Sequence, residues 1–384
     1  MKSYLIFYPH CYIGKGGNGL IAFDTIARKF VMTTYTNVLK SIDANKNIME
    51  IPTIENEQYN DFVQECITDN LAYKIDANVM PFLPQNDLHV ISSYSKTGEL
   101  HNKMEGYFLL DNVLSISLYL NNKTLDFVDE TVSQQIEYPC YCKNSQIEWN
   151  IDGFLKTLDG FPNLREIKIC GDMDETLENM LKKLTCYSVT IRTAGHNLPK
   201  RIATNLRCHN NVKFEILLLS DENWEDALDY EHRVVLSPIV FKPSDVSNFA
   251  GKRNIVPIPV IIDANKQSSL IQEMLIDFSD IVNAHNSMDN IKIKGQYNTT
   301  YYGHITISTD GTLQCANKKY GSLKVSNLID ILNKCVHDEQ SPWFLSRNKF
   351  ARCSKCMFAS LCPDVTIYEQ QGVMDKICTL TEKT

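Results

Sequence analysis

The spacing of apolar residues divides this chain into three stretches. In the first, "YLIFYPHCYI" (4–13) is rich in β-branched and aromatic residues and predicts a strand. The loop "GKGGNG" follows, then a second strand, "LIAFDT". Gly14, Gly16 and Gly19 satisfy G-x-G-x-x-G, but a dinucleotide site needs that motif between a strand and a helix. The next element here reads as a strand, so the motif predicts a glycine-rich hairpin turn. Helices are expected over roughly 35–46 and 56–72. In the second, Tyr59, Phe62, Val63, Cys66, Ile67 and Leu71 share one face. Together these elements predict a winged-helix-like α+β module over 1–78. Residues 79–106 read as a linker with one short strand at "LHVIS".

Over about 113–290 the pattern becomes short apolar runs between amphipathic stretches. The runs are "VLSISLYL", "LREIKICG", "YSVTIRTAG", "VKFEILLLS", "RVVLSPIVF" and "VPIPVIID". Helices are expected near 150–160, 174–184, 197–206, 223–231, 243–250 and 268–284. The last carries the clearest stripe, from Leu270 to Val282. Six β-then-α units predict parallel strands with helical crossovers. Six is fewer than a closed eightfold barrel requires, so a partial barrel or an open doubly wound sheet fits. After 300, "YGHITISTDGTLQC" alternates around Asp310-Gly311 and predicts a hairpin. A strand "GSLKVSN" and a helix "NLIDILNKC" lead into a cysteine-rich tail.

Composition narrows the class. With 43% hydrophobic and 22% charged residues, the 384-residue chain is ordinary globular material for ~2–3 domains. Its net charge of −8 gives no chain-wide footprint for nucleic acid. No apolar run reaches the ~18–20 residues of a membrane span, and the apolar start is short for a signal peptide. The expectation is a cytoplasmic protein with reduced thiols. Thirteen cysteines is then a high count, and an odd number at irregular spacing argues against a disulfide framework. Single cysteines such as Cys66 and Cys186 read as small buried hydrophobes.

The exception is "RCSKCMFASLCP" (352–363), with Cys353, Cys356 and Cys362 in twelve residues and Cys378 sixteen residues later. A Cys-x2-Cys turn can aim two thiolates at one centre, and two more complete a four-thiolate set. Such a set suits tetrahedral zinc or an iron–sulfur cluster, and spacing alone does not choose between them.

The tail "CSKCMFASLC" followed by Cys378 resembles the C-terminal motif of SPASM domains. Those domains extend radical S-adenosylmethionine (SAM) enzymes that modify ribosomally made peptides. "DGTLQCANKKYGSL" resembles their early hairpin, with Cys315 at the early-cysteine position and a glycine-to-cysteine gap one residue short. The resemblance implies one auxiliary [4Fe–4S] cluster on Cys353, Cys356, Cys362 and Cys378. A second cluster is not expected, because Thr366 stands where another ligand belongs. Cys315 is then an orphan thiol or a leftover ligand.

The six βα units resemble the partial barrel of the same enzymes, which implies a partial (βα)6 TIM-like barrel over 107–290 and a SPASM-like domain over 291–384. The family's SAM-cluster motif, Cys-x3-Cys-x2-Cys after the first barrel strand, is missing: that strand runs into "LNNKTLDF". The nearest candidate, "QIEYPCYC", offers only Cys140 and Cys142. The usual Gly-Gly-Glu turn reads Cys170-Gly171-Asp172. The combination resembles the pseudo-radical-SAM proteins of Bacteroidales peptide-maturation systems. It implies a non-catalytic accessory protein that binds a precursor peptide, a partner radical SAM maturase, or both, and that does not use SAM. The N-terminal module resembles leader-recognition elements, which add the peptide as a strand on a sheet edge. An active enzyme that rebuilds a cluster site from Cys140, Cys142 and Cys170, and a zinc-stabilised binding protein, are the alternatives. His10 and His337, beside Cys11 and Cys335, read as ordinary residues.

Overall fold

The computed structural model describes residues 2–43, 47–52, 57–77, 106–120, 129–139, 149–171, 175–194, 209–218, 233–247, 254–284, 286–375 and 377–380. The linker strand at "LHVIS", the helices expected at 197–206 and 223–231, Cys140 and Cys142 lie outside them.

The first stretch contains β1 (Lys2–Phe7), β2 (Cys11–Gly16), β3 (Gly19–Asp24), β4 (Phe30–Thr33), β5 (Ile42–Asp43), β6 (Ile48–Ile51) and β7 (Ala72–Ala77). The single strand expected at 4–13 is therefore two. Pro9 has no N–H to give a ladder, and Tyr8–His10 carries the chain from one sheet to another. β1 lies in the antiparallel sheet β5-β6-β1-β7, whereas β2 joins β3 and β4. The expected helices form as Thr36–Ser41 and Glu57–Thr68. The first stops early because Ile42 turns extended and pairs with Met49. Tyr59, Phe62, Val63 and Cys66 of the second pack on Leu5, Phe7, Cys11 and Leu20. Among the described residues, seven strands and two helices stand where a winged-helix-like arrangement was expected, because β6 and β7 are too short or too polar to announce themselves.

The central sheet contains β8 (Ser115–Tyr119), β9 (Glu166–Cys170), β10 (Val189–Ala194), β11 (Val212–Leu218), β12 (Val234–Val240), β13 (Ile258–Pro259), β14 (His304–Ile307), β15 (Thr312–Cys315) and β16 (Lys318–Ser322). Its order is β13-β12-β11-β10-β9-β8-β14-β15-β16. β8 to β13 run parallel in chain order. β14 pairs parallel with the free edge of β8, so the sheet is open. The fold is mixed α/β around a large, mostly parallel sheet. β14 and β15 form the hairpin expected at Asp310-Gly311, while the strand expected at 321–327 forms earlier, as β16.

The two faces of this sheet differ. Ile116, Leu118, Ile167, Ile169, Ile191, Phe214 and Leu236 point into the main core with the flanking helices. The opposite side of the alternation carries polar residues that satisfy one another. Arg192 makes a two-pronged contact with Glu215 at 2.9 and 2.7 Å, Ser237 donates to Glu215 at 3.0 Å, and Lys168 pairs with Glu137 at 2.7 Å. His304 takes Ser115 and Ser117 as partners at 2.6 and 3.3 Å.

Burial pushes His304 below its ordinary value of 6.5; Glu137 opposes that shift and Lys168 reinforces it. The unfolded chain therefore binds a proton that the folded chain refuses, and stability falls as pH drops below about 6.5. In urea titrations from about pH 7 to about pH 5.5, the wild-type midpoint should fall, by at most ~1.4 kcal/mol per pH unit for one proton. The His304→Gln variant should lose that slope; an equal slope in both proteins contradicts the assignment.

Candidate metal centre

The tail cysteines sit in a run of tight turns. Cys353 donates its N–H to Phe350 O at 2.8 Å, and Cys356 donates to Cys353 O at 2.9 Å, which closes the Cys-x2-Cys turn. Cys362 then donates to Phe358 O at 3.0 Å. Thr366 and Glu369 form a reciprocal capping box on the short helix Ile367–Gln370.

Cys378 arrives by a different route. The helix expected over 268–284 is two helices, Ser268–Met274 and Phe278–Asn283. Asp277 caps the second through a capping box with Asp280, which starts a new helix and leaves Leu275 and Ile276 extended. Ile276 uses its freed backbone groups on the tail: its N–H donates to Ile377 O at 2.7 Å, and its carbonyl accepts from Thr379 N at 3.2 Å. The break in the apolar stripe thus pins the strand segment that carries the fourth cysteine.

All four predicted cysteines line one pocket, together with Arg347, Arg352, Ala359 and Ile377. Cys353, Cys362 and Cys378 are buried and Cys356 is partly exposed. Arg347 anchors the floor. Its guanidinium pairs with Glu369 at 2.5 and 2.8 Å, donates to Pro363 O and Asp364 O at 2.8 Å each, and reaches Cys353 Sγ at 3.5 Å. Burial pushes the Cys353, Cys356 and Cys362 thiols up, and Arg347 acts against that shift at each. A pocket that disfavours the thiolates of Cys353, Cys356 and Cys362 and still collects four cysteines fits a group that brings its own positive charge. Size is informative too. Sulfurs around one zinc at ~2.3 Å stand ~3.8 Å apart. Among the described residues, no three of the tail sulfurs fall within 4.8 Å of one another. The four sulfurs therefore do not form a closed zinc tetrahedron.

The loop that carries Cys353 and Cys356 is backed by the opposite end of the chain. The turn of the β2–β3 hairpin lies on the Cys-x2-Cys loop, with Gly17 N donating to Lys355 O at 2.7 Å. A Cβ built at Gly14 meets Met357 O at 2.1 Å, and one at Gly16 meets Lys355 O at 2.4 Å. Tyr12, Ile21 and Phe23 share a core with Met357, Phe358, Leu361 and Cys362. The hairpin reading of "GKGGNG" is correct, and the glycines have a second reason to be there: two backbones approach too closely for side chains.

The other cysteines disperse. Cys66 is buried as expected, but Cys186 is exposed, in the turn before β10. Cys170 ends β9 in an apolar cluster with Tyr119, Tyr138 and Leu217, and no other described cysteine joins it there. Cys315 is not an orphan. Its sulfur lies 3.0 Å from that of Cys335 in the helix Leu328–Val336, and both are fully buried. His10, Cys11 and Asp24 also converge within 4.8 Å. Asp24 is engaged in local structure, accepting from Ile26 N and Ala27 N at 2.7 and 2.8 Å and pairing with His10 at 3.5 Å. Sequence adjacency suggested His10 and Cys11; only the β2–β3 register brings in Asp24, which lies opposite Cys11.

No helix among the described residues is long and apolar enough to cross a membrane. No family model matches the chain, and no curated protein matches it. Among solved structures the chain is similar to Streptococcus suis SuiB bound to the precursor peptide SuiA, at 11% identity over 97% of each chain with a TM-score of 0.42. It is similar also to SuiB bound to S-adenosylmethionine (11% identity, 96% of each chain, TM-score 0.35). A third match, to SuiB, has 10% identity over 95% of this chain and 96% of that one, with a TM-score of 0.39. Identities and scores this low carry neither fold nor function across.

Proposed function

We propose that this chain is a non-catalytic accessory protein of a peptide-modifying system, related to radical SAM maturases but without their SAM cluster. Cys353, Cys356, Cys362 and Cys378 hold one [4Fe–4S] cluster. When bound, such a cluster supplies one-electron transfer without an open iron for substrate, because all four irons have protein thiolates. The observation that carries this reading is the convergence of the four cysteines on one pocket, where their sulfurs do not form a closed zinc tetrahedron. The same geometry disfavours the zinc alternative.

Three features support the accessory role. The strand order β8 to β13 suits a partial barrel. Between β8 and β9 the sequence has only Cys140 and Cys142, not the three cysteines of Cys-x3-Cys-x2-Cys. Among the described residues, charged groups on the polar face of the sheet partner one another, as in Arg192–Glu215 and Lys168–Glu137. Precursor peptide binding is supported by β7. It is six residues long, lies at the edge of its sheet, and presents exposed Tyr73. Such an edge can accept an added strand. A radical SAM maturase is the expected enzymatic partner.

The role is tested on the full chain, because removal of residues 1–78 strips the β2–β3 hairpin from the Cys-x2-Cys loop. With the precursor peptide of the same system, amide exchange should slow in Ala72–Ala77 and stay unchanged in β9 to β11. With dithionite and SAM, the chain alone should produce no 5′-deoxyadenosine. Unchanged exchange in β7 counts against peptide binding there, and deoxyadenosine above background contradicts the accessory role.

A further inference from the structure

We infer that Asn18, at the tip of the β2–β3 hairpin, is a positioning residue for Cys356, joined to its sulfur by an N–H···S contact. The redox half of this inference rests on the cluster reading; the positional half does not.

Asn18 faces the Cys-x2-Cys loop with both ends of its amide. Its Oδ1 accepts from Met357 N at 2.9 Å, and its Nδ2 lies 3.8 Å from Cys356 Sγ. The acceptor fixes which end is the donor: once Oδ1 is held by Met357 N, the NH₂ group must point at the sulfur. The hairpin cannot drift from this position freely. Gly17 N holds Lys355 O, the Gly14 and Gly16 backbones abut the loop, and Ile21 and Phe23 are fully buried beneath it. Cys356 is the one partly exposed member of the four, so the tip sits beside the most accessible sulfur. Hydrogen bonds to cluster sulfurs and solvent access both set reduction potential. A donor at this sulfur stabilises the more negative, reduced state, and the hairpin also limits water beside it.

Two variants separate the ends of the amide. Asn18→Asp keeps an acceptor for Met357 N and removes the donor to sulfur; Asn18→Ala removes both. In iron-free, reduced protein, N-ethylmaleimide should label Cys356 several-fold faster in Asn18→Ala than in wild type, with Cys66 labelling unchanged. In anaerobically loaded protein, both variants should shift the midpoint potential to more negative values, Asn18→Asp further, with iron content and thermal midpoint of Asn18→Asp close to wild type. A clamp with no donor role predicts that Asn18→Ala matches wild type in potential, the shift in Asn18→Asp then coming from its added charge alone. Equal Cys356 labelling in wild type and Asn18→Ala overturns the positional assignment, and an unshifted potential in Asn18→Ala overturns the redox one. If the wild-type chain takes up no iron, the cluster reading fails on that result, and labelling still decides whether Asn18 holds Cys356.

Discussion

Arg347→Ala should destabilise the iron-free protein by about 3–5 kcal/mol, the usual loss when one partner of a buried ion pair is removed. Both side chains are almost fully enclosed, Arg347 at 4% and Glu369 at 0% exposure. Truncation leaves the Glu369 carboxylate without its partner in a site where water cannot replace it. It also strips Pro363 O and Asp364 O of their donor. Glu369 retains Thr366, whose N–H and hydroxyl donate to it at 2.9 and 3.0 Å, neutral hydrogen bonds in place of a paired charge. Arg347→Lys keeps the charge and loses the planar fork, so it should recover only part of the loss. The double change Arg347→Met with Glu369→Met buries no charge and should be less destabilising than Arg347→Ala alone. Urea unfolding checks the order. A loss below about 1 kcal/mol, typical of an exposed pair, contradicts this placement of Arg347.

The second large effect concerns the cysteines themselves. Cys356→Ala should abolish stable cluster binding, dropping iron from ~four to below ~one per chain, because the spacing supplies one thiolate per iron. Cys315→Ser should leave iron content unchanged, since the Cys315 sulfur is paired with Cys335. Cys170→Ser should also be silent, because Cys170 packs among Tyr119, Tyr138 and Leu217. Iron loss in Cys315→Ser equal to that in Cys356→Ala contradicts the ligand set.

The four cysteines were legible because a short spacing and a following proline are local signals. The way they are brought together was not. Cys378 is positioned by Ile276, and the break at Leu275–Asp277 is hidden inside a continuous apolar stripe; only the Asp277–Asp280 capping box hints at it. The packing of the β2–β3 hairpin on the Cys-x2-Cys loop depends on a contact across more than 330 residues of chain, which no periodicity encodes. The parallel strands were legible as apolar runs. Their polar face carries little signal, because Lys168 and Glu215 each sit singly between apolar neighbours. Arg347 lies six residues before Cys353 and carried no signal in the sequence, since its importance comes from Glu369 on the far side of the cluster loop.

Anaerobic reconstitution with iron and sulfide, followed by iron and sulfide analysis and a visible spectrum, tests the central claim most directly. About four irons and four sulfides per chain, with a charge-transfer band near ~400 nm that is lost in Cys356→Ala, is the predicted result for a four-thiolate cluster. Tight binding of one zinc per chain with no such band contradicts it.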